Sequence, residues 1–509
     1  MTQRPQTFFQ PACAAIGSGI LFVLALPRFS FWPIIFFAYT PLLFSFKKVG
    51  YRKGFFYACL FSLAPTFISF DGVTWWAKLG TSLPGYLTPA ISLIYAVMFA
   101  ISIFLKFYLP FRFRNFLGIF GCASVSLLVT RALSSSVWFS EGNMIGQNNQ
   151  LLQGVAYLGP YGWSLFPLLI IWYLSLSSHS YQKKILITLT SLVTFILLGQ
   201  CRLAWRSENM RTTRVIGVQP GQFEYPPESP NEYAVRGLIE LSQNILLSHP
   251  MSEVTIIWPE GAIPPLTNSE FYKTALSAFA MKNHTQLIVN GASTSAENQL
   301  PTNSNLSFGK NGVLLSTYDK VYLAPFGERL PWVLTSTPLQ RISELTLTGL
   351  VPLRPGSRLE PLKMDDGSRV GSVICIEFLY PNLFRQLANN GAQYFVDLAN
   401  LYVIGKTNTF AGVSPLLRSR AVENGRSMLM VARWGPTIAF NPYGEEIENE
   451  LSGNESAMWT VPLSSDLTLY TRFGDFCLLP ILLLAIGNIA MRRLRILQKV
   501  STPQRFRSA

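Results

Sequence analysis

Two patterns of apolar and polar residues divide the chain. Up to residue 201, apolar runs are separated by short polar clusters, whereas residues 202–471 mix short apolar segments with charged, Pro- and Gly-containing stretches. A helix needs about 20 apolar residues to cross a bilayer, with roughly 17 to 25 acceptable. We predict eight spans, which cover residues 12–26, 31–46, 54–70, 87–109, 116–137, 161–176, 185–200 and 476–490.

The spans define three predicted regions. Residues 1–201 form a seven-helix membrane domain, residues 202–471 form an extramembrane domain, and residues 472–509 form the last helix with a basic tail. The first apolar run could instead be a cleaved signal peptide, but the second run follows it almost directly, which favours a retained helix.

The extramembrane region has the alternation of an α/β domain. Short apolar segments predict strands at residues 215–218, 254–258, 287–290, 313–318, 370–374, 394–398, 428–432 and 437–440. Between residues 235 and 246, apolar residues recur at three- and four-residue spacing, which predicts a helix. Residues 381–390 and 415–424 each open with Pro, as helices often do. Strands that alternate with helices predict a layered α/β sheet.

Composition favours the membrane class. Hydrophobic residues make up 49% of the 509 residues, and charged residues make up 13%. An average soluble chain has about 25% charged residues, so a disordered chain, a coiled coil and a purely cytosolic enzyme are excluded.

The placement of positive charge predicts the orientation. The formal net charge of +14 could indicate nucleic acid or an anionic surface, but most basic residues cluster in alternate loops. By the positive-inside rule these loops and both termini are cytoplasmic, and residues 202–471 lie on the opposite side. The clusters contain Lys47, Lys48, Arg52, Lys53, Lys106, Arg112, Arg114, Lys183, Lys184, Arg492, Arg493, Arg495 and Lys499.

The spans have almost no buried ionisable residues, which argues against a transporter.

Three residues that follow predicted strands could form a catalytic site. Six cysteines are too few for a disulfide framework, and only Cys375 lies inside the extramembrane domain. Strand ends are where α/β proteins form their sites. A thiol with a pKa of about 8.5 needs help to ionise at neutral pH, so Glu260 could accept its proton and Lys320 could stabilise an oxyanion. Taken singly, a buried apolar cysteine, a surface acid and a solvated lysine are the ordinary alternatives.

The motifs around these residues resemble a known family. W-P-E at 258–260, D-K at 319–320 followed by A-P-F-G-E-R-L-P, and C-I-E at 375–377 resemble the nitrilase-like carbon–nitrogen hydrolase superfamily. With seven predicted spans before them and one after, they resemble its membrane-bound branch, the apolipoprotein N-acyltransferases. The stretches R-A-V-E-N-G-R at 420–426 and T-L-Y-T-R-F-G-D at 468–475 are also similar to that branch.

The resemblance implies a fold and a set of roles. It implies an αββα sandwich in which Cys375 is the nucleophile, Glu260 the general base and Lys320 the oxyanion stabiliser. Glu328 would support the site, and Glu377 would be a supporting acid that is structural or catalytic.

Four stretches depart from the family: Ile376 replaces a Tyr, residues 400–405 lose the acid and the Trp of N-D-A-W-F-G, the usual Q-H is replaced around residues 415–416, and residues 433–435 replace N-N-G. These departures bear on the substrate pockets.

The implied reaction is acyl transfer through a thioester. The donor would be a phospholipid, and the acceptor the α-amine of a diacylglyceryl-modified N-terminal cysteine on an apolipoprotein. The implied location is the bacterial inner membrane, multi-pass, with the catalytic domain periplasmic and both termini cytoplasmic. We expect no cofactor, no metal and no nucleic acid; the three His residues show no ligand spacing.

Two other classes stay open. One is a membrane-bound amide or nitrile hydrolase that uses the same triad with water as the acceptor. Exclusion of water from the thioester would distinguish an acyltransferase from this hydrolase. The other is a non-enzymatic membrane scaffold or transporter, which formation of an acyl-enzyme would exclude.

Overall fold

The structure is a computed structural model that describes most of the chain. The described residues are 9–47, 49–69, 87–108, 140–176, 179–207, 209–220, 230–249, 253–261, 270–293, 300–324, 327–329, 352–401, 410–451 and 456–476, with 479, 483 and 487. The predicted span 116–137 lies outside these residues, as does nearly all of the predicted span 476–490.

Apolar helices form the first part of the described chain. They are α1 (Phe9–Leu24), α2 (Ile35–Ala38), α3 (Thr40–Ser45), α4 (Tyr51–Ser69), α5 (Leu87–Ile103), α6 (Glu141–Ile145), α7 (Asn149–Leu152), α8 (Val155–Leu176) and α9 (Tyr181–Ala204). A π-helical turn, Phe104–Tyr108, continues α5. Their shared core contains many aromatic rings, such as Tyr39, which stacks on Phe107 at a centroid distance of 4.2 Å.

The predicted second span is not one continuous helix. A 3₁₀ turn at Trp32–Ile34, α2 and α3 succeed one another, with Pro33 and Pro41 at the starts of the first and the last. Proline lacks an amide N–H and fits the first turn of a helix but not its interior. Two prolines eight residues apart therefore divide this run into short pieces.

Two described helices are long and apolar enough to cross a membrane. They are Val155–Ser175, which is mostly buried, and Tyr181–Ala204, which is mostly exposed. Leu186 and Leu197 on the second helix are 64% and 58% exposed. An apolar helix surface of this kind fits lipid better than water. The count of eight spans stays a prediction.

Lys106 lies in a helical turn and not, as predicted, in a loop between two spans. Lys106 lies in the π-helical turn, is 4% exposed, and its Nζ is 3.2 Å from Oε1 of Glu141. The Tyr39 hydroxyl donates to the same carboxylate oxygen at 2.9 Å. The apolar region thus contains a buried ion pair, contrary to the expectation of almost no buried ionisable residues. The pair is tolerated because each charge is matched and hydrogen-bonded.

Two β-sheets form the second part of the chain. The first has the order β11-β1-β2-β3-β4-β5 and the second β10-β9-β8-β7-β6. Their strands are β1 (Thr212–Val218), β2 (Val254–Ile257), β3 (Gln286–Ser293), β4 (Thr302–Phe308), β5 (Leu314–Asp319), β6 (Leu362–Lys363), β7 (Arg369–Ile374), β8 (Tyr394–Ala399), β9 (Ser427–Ala432), β10 (Ile438–Phe440) and β11 (Ser456–Pro462). Strands β4, β6 and β11 were not predicted. The pairs β1–β2, β2–β3, β7–β8 and β8–β9 are parallel.

The sheets pack face to face between two layers of helices. Helices α10 (Pro230–Ser248) and α11 (Glu270–Asn283) cover the first sheet, and α12 (Pro381–Asn389) and α13 (Val413–Asn424) cover the second. Strand β1 shows the two faces: Val215 belongs to the core between the sheets, and Ile216 belongs to the core under α10 and α11. This alternation follows from the two-residue period of a strand. The result is the predicted αββα arrangement.

The sandwich packs directly on the apolar helices. Val422 of α13 belongs to the core of the helical region. Tyr470, in the short helix α14 (Leu469–Phe473), packs against Gly159, whose φ of 71° bends the start of α8. Polar contacts add to the junction: Arg418 Nη2 donates to Asn149 Oδ1 at 3.2 Å.

Candidate active site

Cys375 lies in a tight turn directly after the buried strand β7. Its φ is 54°, a left-handed conformation that residues other than glycine rarely adopt. Strained backbone of this kind is found mostly at functional sites. The turn brings the thiol to the carboxyl end of the parallel strands, where Sγ lies 3.9 Å from the carbonyl oxygen of Asn400. Cys375 is 9% exposed.

Glu377 holds this turn in place from inside the protein. Its carboxylate accepts hydrogen bonds from the amides of Val321 at 2.7 Å, Tyr322 at 2.9 Å and Ile374 at 2.9 Å. The Tyr318 hydroxyl donates to both carboxylate oxygens. Glu377 therefore joins the segment after β5 to the turn after β7, and its buried position indicates a structural function.

Lys320 sits between two carboxylates. Its Nζ lies 3.3 Å from Oε1 of Glu260 and 3.0 Å from Oε1 of Glu328, and the lysine is 1% exposed. The side-chain nitrogen Nδ2 of Asn303 donates to the same two oxygen atoms, at 2.9 Å each. The second oxygens accept backbone hydrogen bonds, Glu260 from Asn400 and Glu328 from Ala324. The structure thus brings together all five residues singled out from the sequence, since Cys375 and Glu377 lie beside this network.

Burial and charge determine the protonation states. Burial alone would lower the pKa of Lys320, but the negative charges of Glu260 and Glu328 raise it above its usual value, so the lysine is a cation. Burial raises the pKa of the Cys375 thiol well above its usual range, and Glu260 raises it further, while Lys320 opposes them. The resting sulfur is therefore a thiol, and attack requires a base.

The pKa of Glu377 depends on burial and on hydrogen bonds from the backbone. Burial raises the pKa of this carboxyl to about 7, while the amides of Tyr322 and Ile374 and the charge of Lys320 oppose the shift.

The arrangement suits nucleophilic attack on a carbonyl carbon. Glu260 can take the thiol proton, and Lys320 supplies a fixed positive charge where an oxyanion develops. Among the residues that the structure describes, no group of three His, Cys, Asp or Glu side chains could hold a metal ion. The absence of a cofactor and a metal stays a prediction.

Sequence reasoning missed Asn303, which binds both carboxylates. It lies on β4, whose sequence T-N-S-N-L-S-F is mostly polar although five of its seven residues are fully or nearly fully buried. A search for apolar strands cannot find such a strand.

Comparison with known proteins identifies both parts of the chain. A model of the carbon-nitrogen hydrolase family matches residues 252–464, and a model of the apolipoprotein N-acyltransferase N-terminal domain matches residues 18–173. The αββα sandwich is accordingly a nitrilase-like α/β fold.

Curated relatives match over most of the chain. The apolipoprotein N-acyltransferase of Chlorobaculum tepidum is 24% identical, with 95% of each chain covered. That of Rickettsia prowazekii is 26% identical over 68% of this chain and 70% of its own. Among solved structures, a carbon-nitrogen hydrolase from Helicobacter pylori aligns with 52% of this chain and 95% of its own, at 16% identity and a TM-score of 0.40.

Proposed function

Since the chain belongs to the apolipoprotein N-acyltransferase family, we propose that it transfers a fatty acyl chain from a phospholipid to an apolipoprotein. The acceptor is the α-amine of the diacylglyceryl-modified cysteine at the N-terminus of the apolipoprotein. The observation that carries this proposal is the buried network of Glu260, Lys320 and Glu328 beside the strained Cys375 turn.

The first step forms a thioester. Glu260 accepts the thiol proton as the Cys375 sulfur attacks the ester carbonyl carbon of the phospholipid, and Lys320 stabilises the resulting oxyanion. The tetrahedral intermediate collapses, the bond to the glycerol oxygen breaks, and that oxygen takes the proton from Glu260. A lysophospholipid leaves.

The second step forms an amide. The acceptor amine attacks the thioester carbon, and Glu260 takes one proton from the amine. The C–S bond then breaks as the amide forms, and Glu260 passes its proton to the departing Cys375 sulfur, which restores the thiol and the carboxylate. Each proton and electron pair is accounted for by these side chains and the two substrates, so we expect no cofactor or metal.

The location follows from the substrates. Both are bilayer lipids, and withdrawing an acyl chain into water costs about 0.8 kcal/mol per CH₂. A catalytic domain that packs on apolar helices, as this one does through Val422, avoids that cost. We propose a multi-pass protein of the bacterial inner membrane with eight spans, a periplasmic catalytic domain over residues 202–471 and cytoplasmic termini.

The departures from the family pattern bear on substrate preference. Ile376 is half-buried directly after the nucleophile and packs against the core between the sheets. An aliphatic side chain at this position, where the family has a phenol, removes one hydrogen-bonding group next to the reacting carbon. We expect the accepted chain or head group to differ accordingly.

Mass spectrometry of the full chain tests the proposal. Incubation with a phospholipid and no acceptor should add the mass of one acyl chain to Cys375, and a diacylglyceryl-cysteine peptide should then remove that mass and appear as its N-acylated product. Release of free fatty acid with the peptide left unmodified would indicate a hydrolase. No acyl-enzyme in the parent protein would overturn the proposal.

A further inference from the structure

One buried carboxyl near the nucleophile has no part in the mechanism above. Asp397 lies in the middle of β8 and is fully buried. In the sheet it is paired with Val373 of β7, two residues before Cys375, and with Met430 of β9. Within the described part of the chain, no side chain hydrogen-bonds to either carboxylate oxygen of Asp397, and the polar backbone group that faces the carboxyl is the amide of Cys375.

A carboxyl with no side-chain partner in this position is unusual for a core residue. A buried polar group without a hydrogen bond destabilises the fold, and a buried unpaired carboxylate does so far more. The other β8 residues are apolar, so an apolar side chain would suit the position better. The structure therefore retains a destabilising group next to the reacting turn.

The surroundings favour the neutral form of this carboxyl. The titratable groups that face it are Glu260, from the end of β2, Lys320 and Tyr318, from the end of β5, and Cys375 and Glu377, from the turn after β7. Burial raises the pKa of Asp397 well above its usual range, Glu260 and Glu377 raise it further, and Lys320 and the Cys375 amide lower it.

Neutrality has a consequence for the sulfur. A charge on Asp397 raises the pKa of the Cys375 thiol, and so does the charge of Glu260, which is needed as the base. An uncharged carboxyl leaves polar atoms near the Cys375 amide without opposing thiolate formation. Glu377 holds the Ile374 amide on one side of the turn, and Asp397 faces the amide of the next residue.

We propose that Asp397 is a positioning residue that holds the Cys375 turn in the geometry for attack. In the resting protein we expect its carboxyl to be protonated. This inference rests on the proposed function only in taking Cys375 as the nucleophile. It concerns a residue that touches neither substrate.

The test compares Asp397→Asn, which is neutral at every pH and keeps the polar atoms, with Asp397→Val, which removes them. Two rates are measured on the full chain in detergent: acylation of Cys375 by phospholipid, and alkylation of Cys375 by iodoacetamide, followed by peptide mass spectrometry. We expect Asp397→Asn to stay within about twofold of the parent at pH 7. Asp397→Val should be slower by about tenfold or more in both reactions, without a lower melting temperature.

The pH dependence provides a second readout. As pH rises, Asp397 ionises in the parent and opposes the thiolate, so the rate of Asp397→Asn relative to the parent should increase. Parental rates in Asp397→Val would overturn the inference, and so would an Asp397→Asn variant as slow as Asp397→Val.

Infrared spectroscopy keeps the inference testable where Asp397→Val does not fold. The parent at neutral pH should show a protonated carboxyl band that Asp397→Asn lacks, and its absence would overturn the inference. Where the parent is not acylated by phospholipid but the alkylation pattern holds, the proposed function fails and the inference on Asp397 stands.

Discussion

Lys320 Nζ lies 3.3 Å from Oε1 of Glu260, so the cation and the base of the site are paired before any substrate binds. The pairing keeps the Glu260 carboxylate oriented by two donors, the lysine and Asn303. It also means that a substitution of either residue changes the charge seen by the other.

Cys375→Ser should abolish acyl-enzyme formation, because an alkoxide is far harder to generate than a thiolate in a buried site. Mass spectrometry after incubation with phospholipid measures this directly. Cys201→Ser is the matched control, because Cys201 is exposed and lies at the end of α9. Equal acylation of Cys375→Ser and the parent would exclude Cys375 as the nucleophile. Cys13, Cys59, Cys122 and Cys477 should be replaceable in the same way.

Lys320→Met should lower the acylation rate by at least about 10²-fold, because the oxyanion loses its positive charge. It should also lower stability by as much as about 3–5 kcal/mol, because Glu260 and Glu328 then face each other without a cation. Adding Glu328→Gln to Lys320→Met should restore much of the melting temperature and none of the activity. Recovery of both together would show that Lys320 acts only on the fold.

Glu260→Gln should slow acylation by about 10²–10⁴-fold at neutral pH, because the amide cannot accept the thiol proton. The rate should recover as pH rises and the thiol ionises unaided. Since burial raises the pKa of Cys375, recovery should begin at a pH higher than the value near 8.5 of a free thiol. Stopped-flow acylation across pH, with a melting curve of each sample, measures this. A parental rate at pH 7 would remove Glu260 from the mechanism.

Glu377→Gln should lower stability and activity together. The carboxylate accepts from three amides, and the NH₂ group of glutamine would face at least one of these donors, which costs about 1–3 kcal/mol for each hydrogen bond lost. Tyr318→Phe, which removes one donor only, should have a smaller effect. Thermal melting beside acylation rates checks both variants. A stable but inactive Glu377→Gln would assign the residue to the chemistry instead.

Reporter fusions test the topology. Fusions after Lys184 and after Arg493 should report the cytoplasm, and a fusion after Gln222 should report the periplasm, because positive charge is retained on the cytoplasmic side. The pairing of Lys106 with Glu141 gives the experiment added weight, since one residue of the cytoplasmic charge pattern lies in the apolar core. A cytoplasmic signal at Gln222 would change the number of spans before the catalytic domain.

The sequence predicts much of the catalytic sandwich because most of its strands are continuous apolar runs. Glu260 and Cys375 each follow a buried apolar strand that is paired in parallel, one in each sheet. Lys320 follows β5, which pairs antiparallel with β4. The strained φ of Cys375 leaves no trace in composition. Asn303 was missed because hydrogen bonds, and not apolar side chains, hold β4 inside the protein.

The apolar region was harder to predict for a different reason. Hydropathy gives the length of a run but not its continuity, so the breaks at Pro33 and Pro41 were overlooked. The partner of Lys106 lies 35 residues further along the chain, too far for a local pattern to reveal.

The Lys106–Glu141 pair constrains how the protein is made. A buried charged side chain without a partner destabilises the apolar region that holds it. The helix that carries Lys106 is therefore a poor membrane segment until Glu141 has been synthesised and has reached it. Biogenesis of this region should accordingly be cooperative: a nascent chain that stops between the two residues should be retained by the insertion machinery, whereas a chain that extends beyond Glu141 should be released into the lipid.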